Sequence, residues 1–197
     1  MRNTRKIVVI FIIWFAAACL AGVTGLVEHL KPPFPQLIII SITAILLISG
    51  FKIKSFREFL LNLDWRFIVG LHLVRYIGFH FIKLFMREEL PFEFAVIGGI
   101  GDIVIAYTAT MILVFYKRIG SKVLLIWNLL GLAEILFVVF TAARIGIKDP
   151  QSMAALLKMP LSLLPTFVVP VIITSHILLL IRIRSKRGIP GVVKTPG

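Results

Sequence analysis

Apolar residues run through this chain in six long stretches, at about 7–27, 37–51, 67–86, 94–116, 123–143 and 161–181, with short polar segments between them. A helix rises about 1.5 Å per residue, so roughly 20 apolar residues cross the hydrocarbon of a bilayer. The pattern predicts an all-α fold: an integral membrane bundle of six transmembrane helices forming a single transmembrane domain over 1–197. The second stretch is short, and charge interrupts the third. No two-residue alternation of outward apolar positions recurs, which argues against an outer-membrane barrel. Two shorter amphipathic elements stand out. Ser55 and Glu58 have capping-box spacing, and Phe56, Phe59, Leu60 and Leu63 share one face, predicting an interfacial helix near 55–64, anchored by Trp65. Asp149 and Pro150 read as an N-cap and first helical position, predicting a second such helix near 150–158.

Composition fixes the class. Of 197 residues, 59% are hydrophobic and only 16% charged, far from a soluble domain of this length. A net charge of +13 suggests nucleic acid until the basic residues are placed. Arg2, Arg5 and Lys6 precede the first stretch; Lys52, Lys54, Arg57 and Arg66 lie between the second and third; Lys117, Arg118 and Lys122 lie between the fourth and fifth. Arg182, Arg184, Lys186, Arg187 and Lys194 follow the sixth. The alternate loops carry Lys31, Arg87, Arg144 and Lys148 beside Glu28, Glu88, Glu89, Glu93 and Asp149. The positive-inside rule therefore puts both termini in the cytoplasm, with the 55–64 helix on the inner side and the 150–158 helix on the outer side. The partner is the lipid bilayer, and no nucleic acid is needed to account for the charge. The basic start, apolar run and Ala16–Ala17–Ala18–Cys19 resemble a signal peptide, but the run continues to residue 27, so it is expected to stay as an anchor. A single cysteine forms no internal disulfide and no thiolate cluster.

Against this background the polar residues inside the apolar stretches are the candidate chemistry. Arg75 shares its stretch with His72, His80 and Lys83, and later stretches carry Asp102, Glu134 and His176. An Asp, Lys or Arg at a helix centre costs roughly 2.5 to 3.5 kcal/mol on an insertion scale, and such residues face a bundle interior or aqueous cavity. At roughly 100° per residue, Arg75, Tyr76, Phe79, His80 and Lys83 fall on one broad face with His72. Matching depths gives an inner histidine pair, His72 with His176, and an outer cluster of Arg75, His80, Asp102 and Glu134. Lys83 is close enough to an end to snorkel. Gly98, Gly99 and Gly101 lead into Asp102 and offer a smooth face for close helix approach. Pro160, Pro165 and Pro170 in MPLSLLPTFVVP predict a kinked sixth helix carrying His176 toward the bundle axis, with Thr166, Thr174 and Ser175 available to freed carbonyls.

Several chemistries fit parts of this set. Arg75 and Asp102 could neutralise each other and only pin helices together. Gly99-Ile100-Gly101-Asp102 matches the GxGD string of intramembrane aspartyl proteases, which need a second aspartate that is missing here. Haem b could be ligated by His72 and His176. A metal site from His72, His80 and His176 lacks tight spacing. The strings VRYIGFHF, ELPFEFAVIGGIGDIVIAYTA, WNLLGLAEI and MPLSLLPTFVVPVIITSHI, within about 75–180, resemble a family of small uncharacterised bacterial membrane proteins. The resemblance implies a bacterial cytoplasmic membrane location and highlights Arg75, Asp102, Asn128, Glu134 and His176, with Glu134 where the family usually has aspartate. It implies no activity. The expected role is binding or moving a small polar solute, ion or proton through the buried cluster, rather than enzymic catalysis. The alternatives are a haem-binding redox protein and a non-catalytic accessory subunit.

Overall fold

The structure, a computed structural model, describes Arg2–Ser185; Lys186, Arg187 and Lys194 of the basic tail lie outside the described residues. Six helices are long and apolar enough to cross a membrane: Asn3–Val23, Phe34–Lys52, Trp65–Phe85, Glu93–Val114, Ser121–Lys148 and Leu164–Arg184. Among the described residues there is no β-strand. The protein is thus a multi-pass helical membrane protein. The second stretch is a full-length span because Phe34 and Pro35 start the helix before the apolar run; Pro35 falls in its first turn, where a missing N–H costs nothing.

Both shorter elements are helical, with changed detail. The helix Lys54–Asn62 begins one residue before Ser55, so Ser55 lies inside it rather than at its cap, while Phe56 is buried and Leu61 faces outward. The segment after Pro150 is a 3₁₀ helix, Gln151–Leu157, and Asp149 accepts from the Gln151 N–H at 3.2 Å. Trp65 is not a surface anchor: it is 4% exposed and opens the third span behind Asp64, whose carboxylate caps that helix by accepting from the Arg66 N–H at 2.9 Å.

The described chain divides into two compact units. The first comprises the chain up to Asn62 with Val139–Thr174. Here the prolines act differently from expectation. Pro160 precedes the sixth span and Pro165 sits at its start, leaving Pro170 as the proline within it. A π-helical turn, Leu164–Val168, opens the span, with Val169 N–H bonded back to the Leu164 carbonyl. Pro170 has no N–H to give to the Thr166 carbonyl four residues earlier. The indole N–H of Trp14 donates to that carbonyl at 3.0 Å, and its ring packs on Phe167 with centroids 4.5 Å apart. The Thr166 hydroxyl donates to the Ser162 carbonyl at 2.8 Å.

The second unit comprises Leu63–Val138 with the chain from Ser175 onward. Its third span is wound as 3₁₀ helix over Leu71–Ile77, flanked by α-helical turns Trp65–Gly70 and Gly78–Phe85. At three residues per turn, about 120° each, positions three apart eclipse. Val69, His72, Arg75, Gly78, Phe81 and Leu84 are all buried, in one three-residue series. At the end of the sixth span Arg182 donates to the Leu63 carbonyl at 2.7 Å, satisfying a group left free where the chain turns into the third span.

Candidate functional site

The candidate site lies wholly in the second unit. Arg75 and His72 point the same way because the 3₁₀ winding eclipses them. Two close approaches let neighbouring helices reach them. Gly78 faces Gly99 so closely that a Cβ on Gly78 would fall 2.2 Å from the Gly99 carbonyl oxygen. Gly101 faces Glu134, where a Cβ would meet a carboxylate oxygen at 2.6 Å. Removing those side chains brings the fourth and fifth spans within reach of the guanidinium.

All three nitrogens of Arg75 are engaged. Nε donates to Asp102 Oδ1 at 2.6 Å, Nη1 donates to the Gly131 carbonyl at 3.1 Å, and Nη2 pairs with the Glu134 carboxylate. The Arg75 and Asp102 side chains are 3% and 5% exposed, and that of Glu134 is 15% exposed. Fork geometry with three different acceptors is what a guanidinium satisfies and a lysine ammonium does not.

One turn away the two histidines meet. The His72 and His176 ring centres are 4.2 Å apart with planes at 47°, and the Trp127 ring stands edge-on to His72 at 5.1 Å. Trp127 is fixed by its indole N–H, which donates to the Thr108 hydroxyl at 3.1 Å. Asn128 grips His176 twice: its amide nitrogen donates to the His176 carbonyl at 3.0 Å, and its amide oxygen lies 2.9 Å from Nδ1. Because that oxygen only accepts, Nδ1 carries the proton of a neutral His176 and Nε2 is left with its lone pair. His72 Nε2 exchanges a hydrogen bond with the Ser175 hydroxyl at 3.1 Å. His176 Nε2 and His72 Nδ1 are both buried without a hydrogen-bond partner. Gly131 joins the two groups: its carbonyl receives Arg75, and a Cβ on it would fall 2.6 Å from His176 Cε1.

Of the residues singled out in the sequence, Arg75, Asp102 and Glu134 thus converge, and His72, Asn128 and His176 converge beside them. His80 joins neither group and is only half-buried, while Phe79 and Lys83 are exposed. The physical reason is the winding: the broad face drawn at 100° per residue narrows to a three-residue line when Leu71–Ile77 tightens to 3₁₀, and His80 falls off it. Gly78, Gly131, Trp127 and the pairing of Ser175 with His72 emerge only from the structure. The spacing Asn128, Gly131, Glu134 was a visible signal, since a small residue midway between two polar ones marks a close contact.

The site does not fit haem. Metal–imidazole bonds of about 2.0 Å on opposite faces of a porphyrin place ring centres roughly 6 Å apart. The His72 and His176 ring centres are only 4.2 Å apart, with the rings tilted against each other, so no porphyrin fits between them as they stand. The protease reading fares no better, because the partner of Asp102 is the Arg75 guanidinium rather than a second aspartate.

No curated protein and no solved structure matches this chain. A family described as a domain of unknown function, DUF8737, matches residues 32–184, which include every residue of the buried site. On that match the chain belongs to the DUF8737 family.

Proposed function

We propose that this protein binds or translocates a small polar solute, ion or proton through the buried site of its second unit. The observation that carries the reading is the pair of buried imidazole nitrogens, His72 Nδ1 and His176 Nε2, left without hydrogen-bond partners beside an ion-paired guanidinium. Ion pairing alone would account for Arg75 and Asp102. It gives no reason to bury two lone pairs or ring nitrogens that a purely packed core would satisfy or omit. The basic residues flanking alternate spans support a topology with both termini in the cytoplasm, and the family resemblance supports a bacterial cytoplasmic membrane. Pro170, with the widened turn before it, supports a bend in the sixth span.

The test separates function from packing. A buried ion cluster replaced as a whole by apolar residues of similar volume is often neutral for stability, whereas loss of one partner is costly. The triple variant Arg75→Met, Asp102→Leu, Glu134→Leu is expected to stay folded in detergent while losing solute-induced thermal stabilisation and flux in reconstituted vesicles. A folded triple variant with unchanged binding and flux overturns the proposal in favour of helix pinning.

A further inference from the structure

We infer that the ligand of this site is a single univalent cation, a proton or an alkali-metal ion, and that Glu134 is the group that takes it. This rests on the solute-site reading above and narrows it. The first argument is occupancy. An anionic ligand would have to share the single guanidinium with two carboxylates that repel it, and three of the five N–H groups of Arg75 already serve Asp102, Gly131 and Glu134. The remaining neighbours offer lone pairs instead: His176 Nε2 is an acceptor once Asn128 fixes the ring proton on Nδ1, and the Gly131 group facing it contributes a carbonyl.

The second argument is charge. The groups facing Glu134 are Arg75 from the third span, Asp102 from the fourth and, across Gly131, His176 from the sixth. With neutral imidazoles, one guanidinium against two carboxylates leaves the cluster one negative charge in excess. An uncompensated charge away from water is expensive, so the cluster reaches neutrality by holding one positive charge more. A proton or an alkali ion supplies it equally.

The third argument selects the carboxylate. Asp102 accepts from Nε at 2.6 Å and its side chain is 5% exposed, whereas the Glu134 side chain is 15% exposed and lies on the bare backbone at Gly101. Glu134 has the longer side chain and the more open approach. Proton exchange there is the addition or loss of one proton on a carboxylate oxygen, and the unpartnered Nε2 of His176, set against Gly131 one helical turn from Glu134, can receive the proton that leaves.

The experiment uses the full chain in detergent, weakly buffered with a pH indicator, and then in vesicles enclosing a pH-sensitive dye. Sodium or potassium chloride added to the protein separates the two sources. If the occupant is an alkali ion that competes with a proton, salt releases about one proton per chain. If it is a proton alone, acid pulses load the site and salt does nothing. Either response is expected to vanish in Glu134→Gln and persist in His29→Gln, where the side chain is exposed. Glu134→Asp keeps the carboxylate and should retain exchange with altered affinity, which guards against a variant that fails to fold. Chloride, phosphate or a neutral solute bound equally well by Glu134→Gln would overturn this inference and leave the broader reading standing. Neither binding nor flux of any probe in the wild-type protein would end both.

Discussion

At the scale of single residues, the site depends on atoms that are missing as much as on those present. Gly78 and Gly99 touch backbone to backbone; the glycine run before Asp102 announced one side of this contact, but Gly78, a lone glycine in an apolar run, carried no signal for the other. A Gly78→Ala variant would place its methyl group 2.2 Å from the Gly99 oxygen, a distance only backbone movement can relieve. Overpacking of this kind costs about 1–3 kcal/mol, and separating the third and fourth spans should also loosen the Arg75–Asp102 contact. Gly70→Ala makes the opposite case, since nothing lies within 4 Å of an added Cβ there. It should be neutral or gain about 0.5–1 kcal/mol from reduced chain entropy. Thermal unfolding of the two variants in one detergent measures the contrast, and equal shifts would refute the close-approach account. Arg75→Lys should behave as a disruptive change rather than a conservative one, because an ammonium cannot hold Asp102 Oδ1, the Gly131 carbonyl and the Glu134 carboxylate in one plane.

At the scale of elements, what the sequence disclosed was length, and what it concealed was winding. Apolar run length located all six spans, because hydropathy and the cost of unsatisfied backbone in lipid leave little other choice. It also singled out Arg75, Asp102, Glu134, His72 and His176, since charge and imidazole in such runs are rare. His80 was placed among them by assuming α-helical pitch where the chain adopts 3₁₀, and periodicity over seven residues cannot distinguish the two. The sixth span shows the same limit: three prolines announced a disturbance without saying that Trp14 compensates it. Trp14→Phe removes the indole hydrogen bond to the Thr166 carbonyl and should destabilise the first unit by about 1–3 kcal/mol. In a Pro170→Ala background the restored N–H competes for that carbonyl, so the Trp14→Phe cost should fall. A double-mutant cycle with no coupling would show that the two features are unrelated. The start of the third span supplies a pH-dependent counterpart. Asp64 is held below its ordinary value, chiefly by its side-chain hydrogen bonds with Arg66. A carboxylate depressed on folding contributes stability above its unfolded value and loses it as pH falls through the folded one. Asp64→Asn should therefore lower stability at neutral pH by a few tenths of a kcal/mol, given the exposure of the pair, with the deficit closing only below about pH 3.8.

At the scale of the whole molecule, the distribution of polarity has two separate origins that a single experiment can pull apart. Apolar side chains on the first span, such as Ile10, Ile13 and Leu20, are more than 60% exposed, which in water would be an aggregation hazard and in lipid is the matching surface. The basic residues answer to a different constraint, the positive-inside rule, by which loops rich in Lys and Arg are expected to be held back during insertion. Those two facts together predict one arrangement, with Lys54, Lys117 and the end of the sixth span on the cytoplasmic side and Lys31, Glu88 and Asp149 opposite. Cys19 is the sole cysteine, so a Cys19→Ser background makes single engineered thiols readable. Lys54→Cys and Lys117→Cys should be protected from a membrane-impermeant maleimide in intact cells and react after permeabilisation, whereas Lys31→Cys and Glu88→Cys should react at once. Reaction of both sets from outside would break the topology. The reverse labelling would invert it, and the route by which a cation reaches Glu134 would invert with it.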